Sequence, residues 1–106
     1  RYAQLADYLH LGGKSDEEKV DKLIALVRKM NDELKIPQSI KNYGNGGVIV
    51  DEKNRMVPEE EFLAKVHDIA VNALGDACTG SNPRQPSVEE MEKLLKCCYY
   101  DTEVDF

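Results

Sequence analysis

DACTGSNPRQPSVEEM, residues 76–91, separates two helical stretches with a tight polar loop and then restarts the second with a cap. On its upstream side Phe62, Val66, Ile69, Ala70, Ala73 and Leu74 recur three or four residues apart, the spacing of one apolar helix face. Pro58 suits the first turn of that helix, and Glu59, Glu60 and Glu61 sit at the positive end of its dipole. Downstream, Ser87 and Glu90 stand at capping-box spacing and open a helix expected to carry Met91, Leu94, Leu95 and Cys98 inward. Within the loop, Gly80 supplies backbone freedom, Asn82 can bond its own turn, and Pro83 and Pro86 stiffen the approach to Ser87. Arg84 is placed to pair with a carboxylate or with helix-end carbonyls. The expectation is a rigid corner between two helices.

The rest of the chain also reads as helices. RYAQLADYLHLGG spaces Tyr2, Leu5, Ala6 and Leu9 on one face and stops at Gly12 and Gly13, which suit a left-handed helix end. No cap precedes it, so Arg1 is expected to lie inside a helix whose beginning is missing. In SDEEKVDKLIALVRKMNDELKIP, Ser15 and Glu18 repeat the capping-box spacing, and Asp16, Glu17 and Glu18 complement the dipole. Val20, Leu23, Ile24, Val27, Met30 and Leu34 form a stripe expected to be core, and Pro37 ends the helix. The middle differs: a glycine-rich turn, the β-branched run Val48-Ile49-Val50, a polar turn and Met56-Val57 predict a short β-hairpin near 48–57. Gly44-Asn45-Gly46-Gly47 lacks the preceding strand and following lysine-bearing helix of a phosphate loop. Asp51-Glu52 lacks the alternating acids and central glycine of a calcium loop. The fold class predicted is therefore all-α, as a single helical domain over 1–106, ending in a frayed acidic tail from Asp101 to Phe106.

Composition bounds what this chain does. A chain of 106 residues is one ordinary domain, able to bury about two-thirds of the surface it exposes when unfolded. Fourteen basic against twenty acidic residues leave a formal charge of −6, which argues against nucleic acid as a partner. No apolar run approaches the roughly 18 residues of a membrane span, and no signal-peptide pattern opens the chain. Three cysteines, two of them adjacent, make an odd set better suited to free thiols in a reducing cytoplasm than to a disulfide scaffold.

The inventory for chemistry is short. His10 and His67 are the two histidines, neither in an HExxH pattern, and Cys78, Cys97 and Cys98 lack CxxC spacing, so no metal site is expected. Cys78 and His67 would stand about 16 Å apart along an unbroken helix, too far for a nucleophile and its base. Without GxSxG, GxGxxG or a Walker loop, no catalytic residue can be assigned.

Cys78-Thr79-Gly80-Ser81-Asn82-Pro83-Arg84 resembles the C-terminal signature of iron-dependent alcohol dehydrogenases. RYAQLADYLHLGG, SDEEKVDKLIALVRKMNDEL, KIPQSIKNYG, EEFLAKVHDIAVNALGDACTGSNPR and LLKCCYY agree with it in order and spacing. Together they look most like the end of a bifunctional aldehyde-alcohol dehydrogenase. The resemblance implies the helical C-terminal portion of that fold, in a cytoplasmic parent that forms homo-oligomers. It implies NAD held by an upstream α/β domain and iron held by an aspartate and three histidines, none of which maps onto this chain. The parent reaction would be reversible hydride transfer between an aldehyde and a primary alcohol, with metal and nucleotide both outside these residues. Cys78 would line the substrate pocket, with Thr79 and Gly80 as its backbone support. The Gly44 to Pro58 region is longer than the family pattern, Gln85 stands where an aromatic residue often follows the arginine, and the tail beyond Tyr100 is additional. Such a fragment is expected to be catalytically incomplete, with the remainder of the dehydrogenase as its partner. The competing reading is a stand-alone helical protein-interaction module without enzymatic activity.

Overall fold

Ser15 and Ser87 open the two helices with side-chain caps. Each holds extended backbone angles, and each Oγ accepts from the amide three residues on: Glu18 N at 3.2 Å and Glu90 N at 3.1 Å. At Ser87 the Glu90 carboxylate reaches back to accept from the Ser87 amide at 3.0 Å, completing the capping box. At Ser15 the equivalent carboxylate accepts instead from the Lys14 amide at 2.7 Å, one residue earlier.

The computed structural model describes residues 1–44, 47, 48, 53 and 55–106. Their elements run α1 (Tyr2–Tyr8), α2 (Asp16–Glu33), β1 (Tyr43–Gly44), β2 (Gly47–Val48), α3 (Glu59–Gly75), a 3-10 turn (Thr79–Ser81) and α4 (Val88–Tyr100). The fold class is all-α, with two compact units at residues 1–38 and 39–106.

In the first unit α1 packs on α2, Ala6 is fully buried, and Lys19 Nζ pairs with Asp7 Oδ1 at 3.0 Å. α1 ends earlier than its glycines suggest. His10 takes the left-handed position at φ 55°, its amide donates to Asp7 O, and the Leu11 amide donates to Ala6 O, each at 3.1 Å. This is a Schellman end built on histidine rather than glycine. Gly12 and Gly13, at φ 82° and 112°, steer the link onward to the Ser15 cap. α2 closes in the same way at Lys35, φ 58°, with the Ile36 amide donating to Asn31 O at 2.8 Å.

The stripe of α2 is not the core that periodicity predicts. No α2 residue is buried: Ile24, Val27 and Met30 are each about half exposed, and Leu34 is 66% exposed. Periodicity identifies the apolar face of a helix but not what covers it.

In the second unit, Tyr43 and Gly44 pair antiparallel with Val48 and Gly47, and a single bridge joins Gly44 to Arg55. The Met56 amide donates to Tyr43 O at 3.0 Å. The described pairing thus begins before the predicted hairpin, of which residues 49–52 and 54 lie outside the described residues.

α3 packs on α4 around Phe62, Val66 and Tyr99, with Ile40, Val57, Leu95 and Tyr100 against them. Ala70 is fully buried, whereas Ile69 is 41% exposed, so the inward face of α3 is narrower than its stripe. On α4 the expected inward residue Cys98 is exposed, and Tyr99 has no exposed surface. The buried row therefore continues from Leu95 to Tyr99, four residues on, rather than from Leu94 to Cys98. An aromatic ring drives that choice: Tyr99 stacks on Phe62 at 4.3 Å between ring centroids, and its hydroxyl donates to Val57 O at 2.9 Å. Tyr100 packs edge-on against Tyr99 and donates to Glu59 Oε1 at 2.6 Å, which pushes its phenol up to about 12.

Candidate functional site

Cys78, Thr79 and Gly80 follow the end of α3 on a short corner fixed mainly by side chains. Asp76 leaves the helix in extended geometry, and its Oδ1 accepts from the Cys78 amide at 2.7 Å, closing an Asx turn. The Thr79 hydroxyl donates back to Ala73 O at 2.5 Å, so the corner is tied to the last turn of α3. The Ser81 hydroxyl and amide both donate to Cys78 O, at 2.7 and 3.2 Å. Cys78 and Gly80 are exposed and Thr79 is half-buried.

Gly80 does not serve the purpose its sequence context suggests. It is not among the glycines with positive φ, and a Cβ built on it would meet nothing within 4 Å. Nothing within the chain demands glycine there; its effect is to leave the outer side of the corner bare.

The downstream half is held by two residues of different legibility. Arg84 finds the partners its charge predicts: Nη2 donates to Glu90 Oε1 at 2.9 Å, and Nη1 donates to the Phe106 backbone oxygen at 3.1 Å. Lys93 lies 5.8 Å from the Phe106 ring centroid, so the expected frayed tail is engaged at its last residue. Gln85 was not singled out by its chemistry in the sequence. Its amide donates to Thr79 O, Gly80 O and Asn82 O at 3.2, 3.1 and 2.7 Å. Two N–H hydrogens thus serve three carbonyls of the same loop. Only the donor capacity of a residue beside a proline-stiffened turn could have pointed to it.

The Ser87 amide, and after it the Arg84 guanidinium, hold the Glu90 carboxyl below its usual range. A carboxyl whose folded-state pKa is depressed contributes stability above its unfolded value and loses it as pH falls through the folded value. The difference in urea midpoint between the wild-type chain and Glu90→Gln is therefore expected to be present at neutral pH and to shrink below the ordinary value of 4.5. An unchanged difference at roughly pH 3 would contradict this linkage.

The described histidines lie apart, each engaged locally. His10 caps α1 in the first unit, and His67 on α3 pairs through Nδ1 with Glu92 Oε1 on α4 at 2.5 Å. Among the described residues no group of three or more His, Cys, Asp or Glu side chains could hold a metal ion. Nor is any described helix long and apolar enough to cross a membrane. All three cysteines are free thiols.

Residues 1–99 match the model of the Fe-containing alcohol dehydrogenase family, C-terminal, and the chain belongs to that family. It is 46% identical over its whole length to an NADPH-dependent butanol dehydrogenase of Clostridium saccharobutylicum, covering 24% of that protein. Over 93% of its length it is 41% identical to an aldehyde-alcohol dehydrogenase of Clostridium acetobutylicum, covering 10% of it. A bifunctional aldehyde-alcohol dehydrogenase of Escherichia coli is 37% identical over 94% of the chain, again with 10% of that protein covered. The chain thus spans a quarter or less of the length of these relatives.

Proposed function

We propose that residues 1–106 are a single helical domain, the C-terminal part of an iron-dependent, NAD-linked alcohol dehydrogenase that interconverts aldehydes and primary alcohols. The observation that carries this reading is the family match over residues 1–99, joined to relatives named as butanol and aldehyde-alcohol dehydrogenases. The partner is the remainder of the parent polypeptide, which supplies iron and nucleotide binding. The parent acts as a cytoplasmic homo-oligomer without membrane partners, and the charge of −6 argues against nucleic-acid partners.

In this reading Cys78, Thr79 and Gly80 form one wall of the substrate pocket. The bare outer side of Gly80 and the exposed Cys78 leave room for something beyond the chain. Thr79, tied to Ala73 O, sets the depth of that wall relative to α3.

The isolated chain is catalytically incomplete on this account. Purified residues 1–106 are expected to show no oxidation of ethanol or butanol with NAD or NADP, and to retain no stoichiometric iron after desalting. Both nucleotides belong in the assay because one relative is named for NADPH. Turnover with bound iron would sink the claim that the isolated chain is incomplete. A second reading, a helical interaction module without enzymatic activity, is favoured by the exposed apolar face of α2; it requires a native polypeptide without the dehydrogenase's upstream part.

A further inference from the structure

We propose that Gln85 is a positioning residue for the aldehyde pocket, holding the Cys78–Gly80 corner in register from outside the pocket; this rests on the reading of that corner as a pocket wall. The 3-10 turn Thr79–Ser81 is only three residues long. Its backbone closure consists of Ser81 N to Cys78 O at 3.2 Å and Asn82 N to Thr79 O at 3.0 Å. The hydrogen-bond geometry of a 3-10 turn is poorer than that of an α-helix. Gly80 adds no side-chain packing, since even a Cβ there would touch nothing within 4 Å. The position of the corner therefore depends on tethers at its two ends.

The upstream tethers are Thr79 Oγ1 to Ala73 O at 2.5 Å and the Cys78 amide to Asp76 Oδ1 at 2.7 Å. The downstream tether is the Gln85 amide on the carbonyls of Thr79, Gly80 and Asn82. Those contacts fall on two residues of the proposed wall, the half-buried Thr79 and the exposed Gly80, and on Asn82 just after the turn. Gln85 is itself exposed and followed by Pro86 and the capped start of α4, so its backbone is anchored while its amide reaches back. The amide oxygen plays no part in the tether; the two N–H donors do. Gln85→Glu keeps the shape, removes both donors and sets a carboxylate against three carbonyl oxygens.

The test uses the full parent dehydrogenase carrying this sequence, with Gln85→Glu, Gln85→Ala and Gly80→Val compared with wild type by steady-state kinetics and thermal unfolding. Gln85→Glu is expected to raise the KM for the aldehyde about tenfold, with kcat and the nucleotide KM within about twofold, because small displacements of positioning groups have large kinetic effects. Gln85→Ala carries the same measurement if the carboxylate prevents folding. A merely structural role would instead lower Tm and shift all kinetic constants together, and that result overturns the inference. If Gly80→Val raises the aldehyde KM and neither Gln85 variant does, the wall stands and the positioning role fails. If none of the three moves the aldehyde KM, the wall reading fails and takes the inference with it.

Discussion

Tyr99→Ala is expected to cost about 3–5 kcal/mol of unfolding free energy, the range for truncating a large buried aromatic. Tyr99 has no exposed surface, stacks on Phe62 at 4.3 Å, and donates to Val57 O at 2.9 Å. Its ring joins α3, α4 and the segment before α3, so truncation opens a cavity at the centre of residues 39–106. Tyr99→Phe isolates the hydroxyl and should cost only about 1–2 kcal/mol, from leaving the Val57 carbonyl unpaired. Urea unfolding of the two variants against wild type gives both values; a Tyr99→Ala loss below about 1 kcal/mol would contradict the packing described.

Gly13→Ala should destabilise the first unit by about 2 kcal/mol, for a different reason. At φ 112° the backbone is where side-chain-bearing residues are rarely found, and a Cβ would stand 3.0 Å from Lys19 Cγ and 3.1 Å from Lys19 N. The backbone nitrogen belongs to the first turn of α2 and cannot move aside without disturbing the Ser15 cap. Gly12→Ala is the comparison: its φ of 82° is also left-handed, but a Cβ there meets nothing within 4 Å. Its cost should be near 1 kcal/mol. Loss of α2 helicity on heating, followed by circular dichroism, reads the pair; equal effects would show that strain alone, not the Lys19 contact, sets the cost.

The contrast between these glycines and Gly80 shows what was legible in the sequence. Capping serines, acidic first turns and the period of α3 placed the helices, because those signals are local and the groups that satisfy them lie within four residues. Helix ends were less legible. His10 and Lys35 adopt left-handed angles that sequence assigns to glycine, and the hydrogen bonds of Leu11 and Ile36 hold them there. Burial was legible for Phe62, Val66 and Ala70, but not for α2, where Ile24, Val27 and Met30 stay about half exposed. Cys98 and Tyr99 sit side by side in sequence, and only the stack on Phe62 decides which turns inward.

The corner divides in the same way. Arg84 announced itself by charge, and its partner Glu90 lies on the capping box already visible in the sequence. Gln85 carries no charge and matches no motif, yet its side-chain amide donates to three carbonyls of the loop. Cys78 and Gly80 were identified through resemblance, and the structure adds that both are exposed at a braced turn. That arrangement supports the proposed wall, and the proposal assigns the iron and nucleotide sites to polypeptide beyond these residues.

The central claim, that this chain is part of a dehydrogenase rather than a module acting alone, is tested most directly by the size of the native polypeptide that contains it. Immunoblotting an extract of the cells that make it, followed by peptide mapping of the band, gives that size and the upstream sequence. The account predicts a polypeptide several times longer than this chain, with upstream peptides containing an aspartate and a cluster of histidines. A band no larger than the chain itself would contradict it.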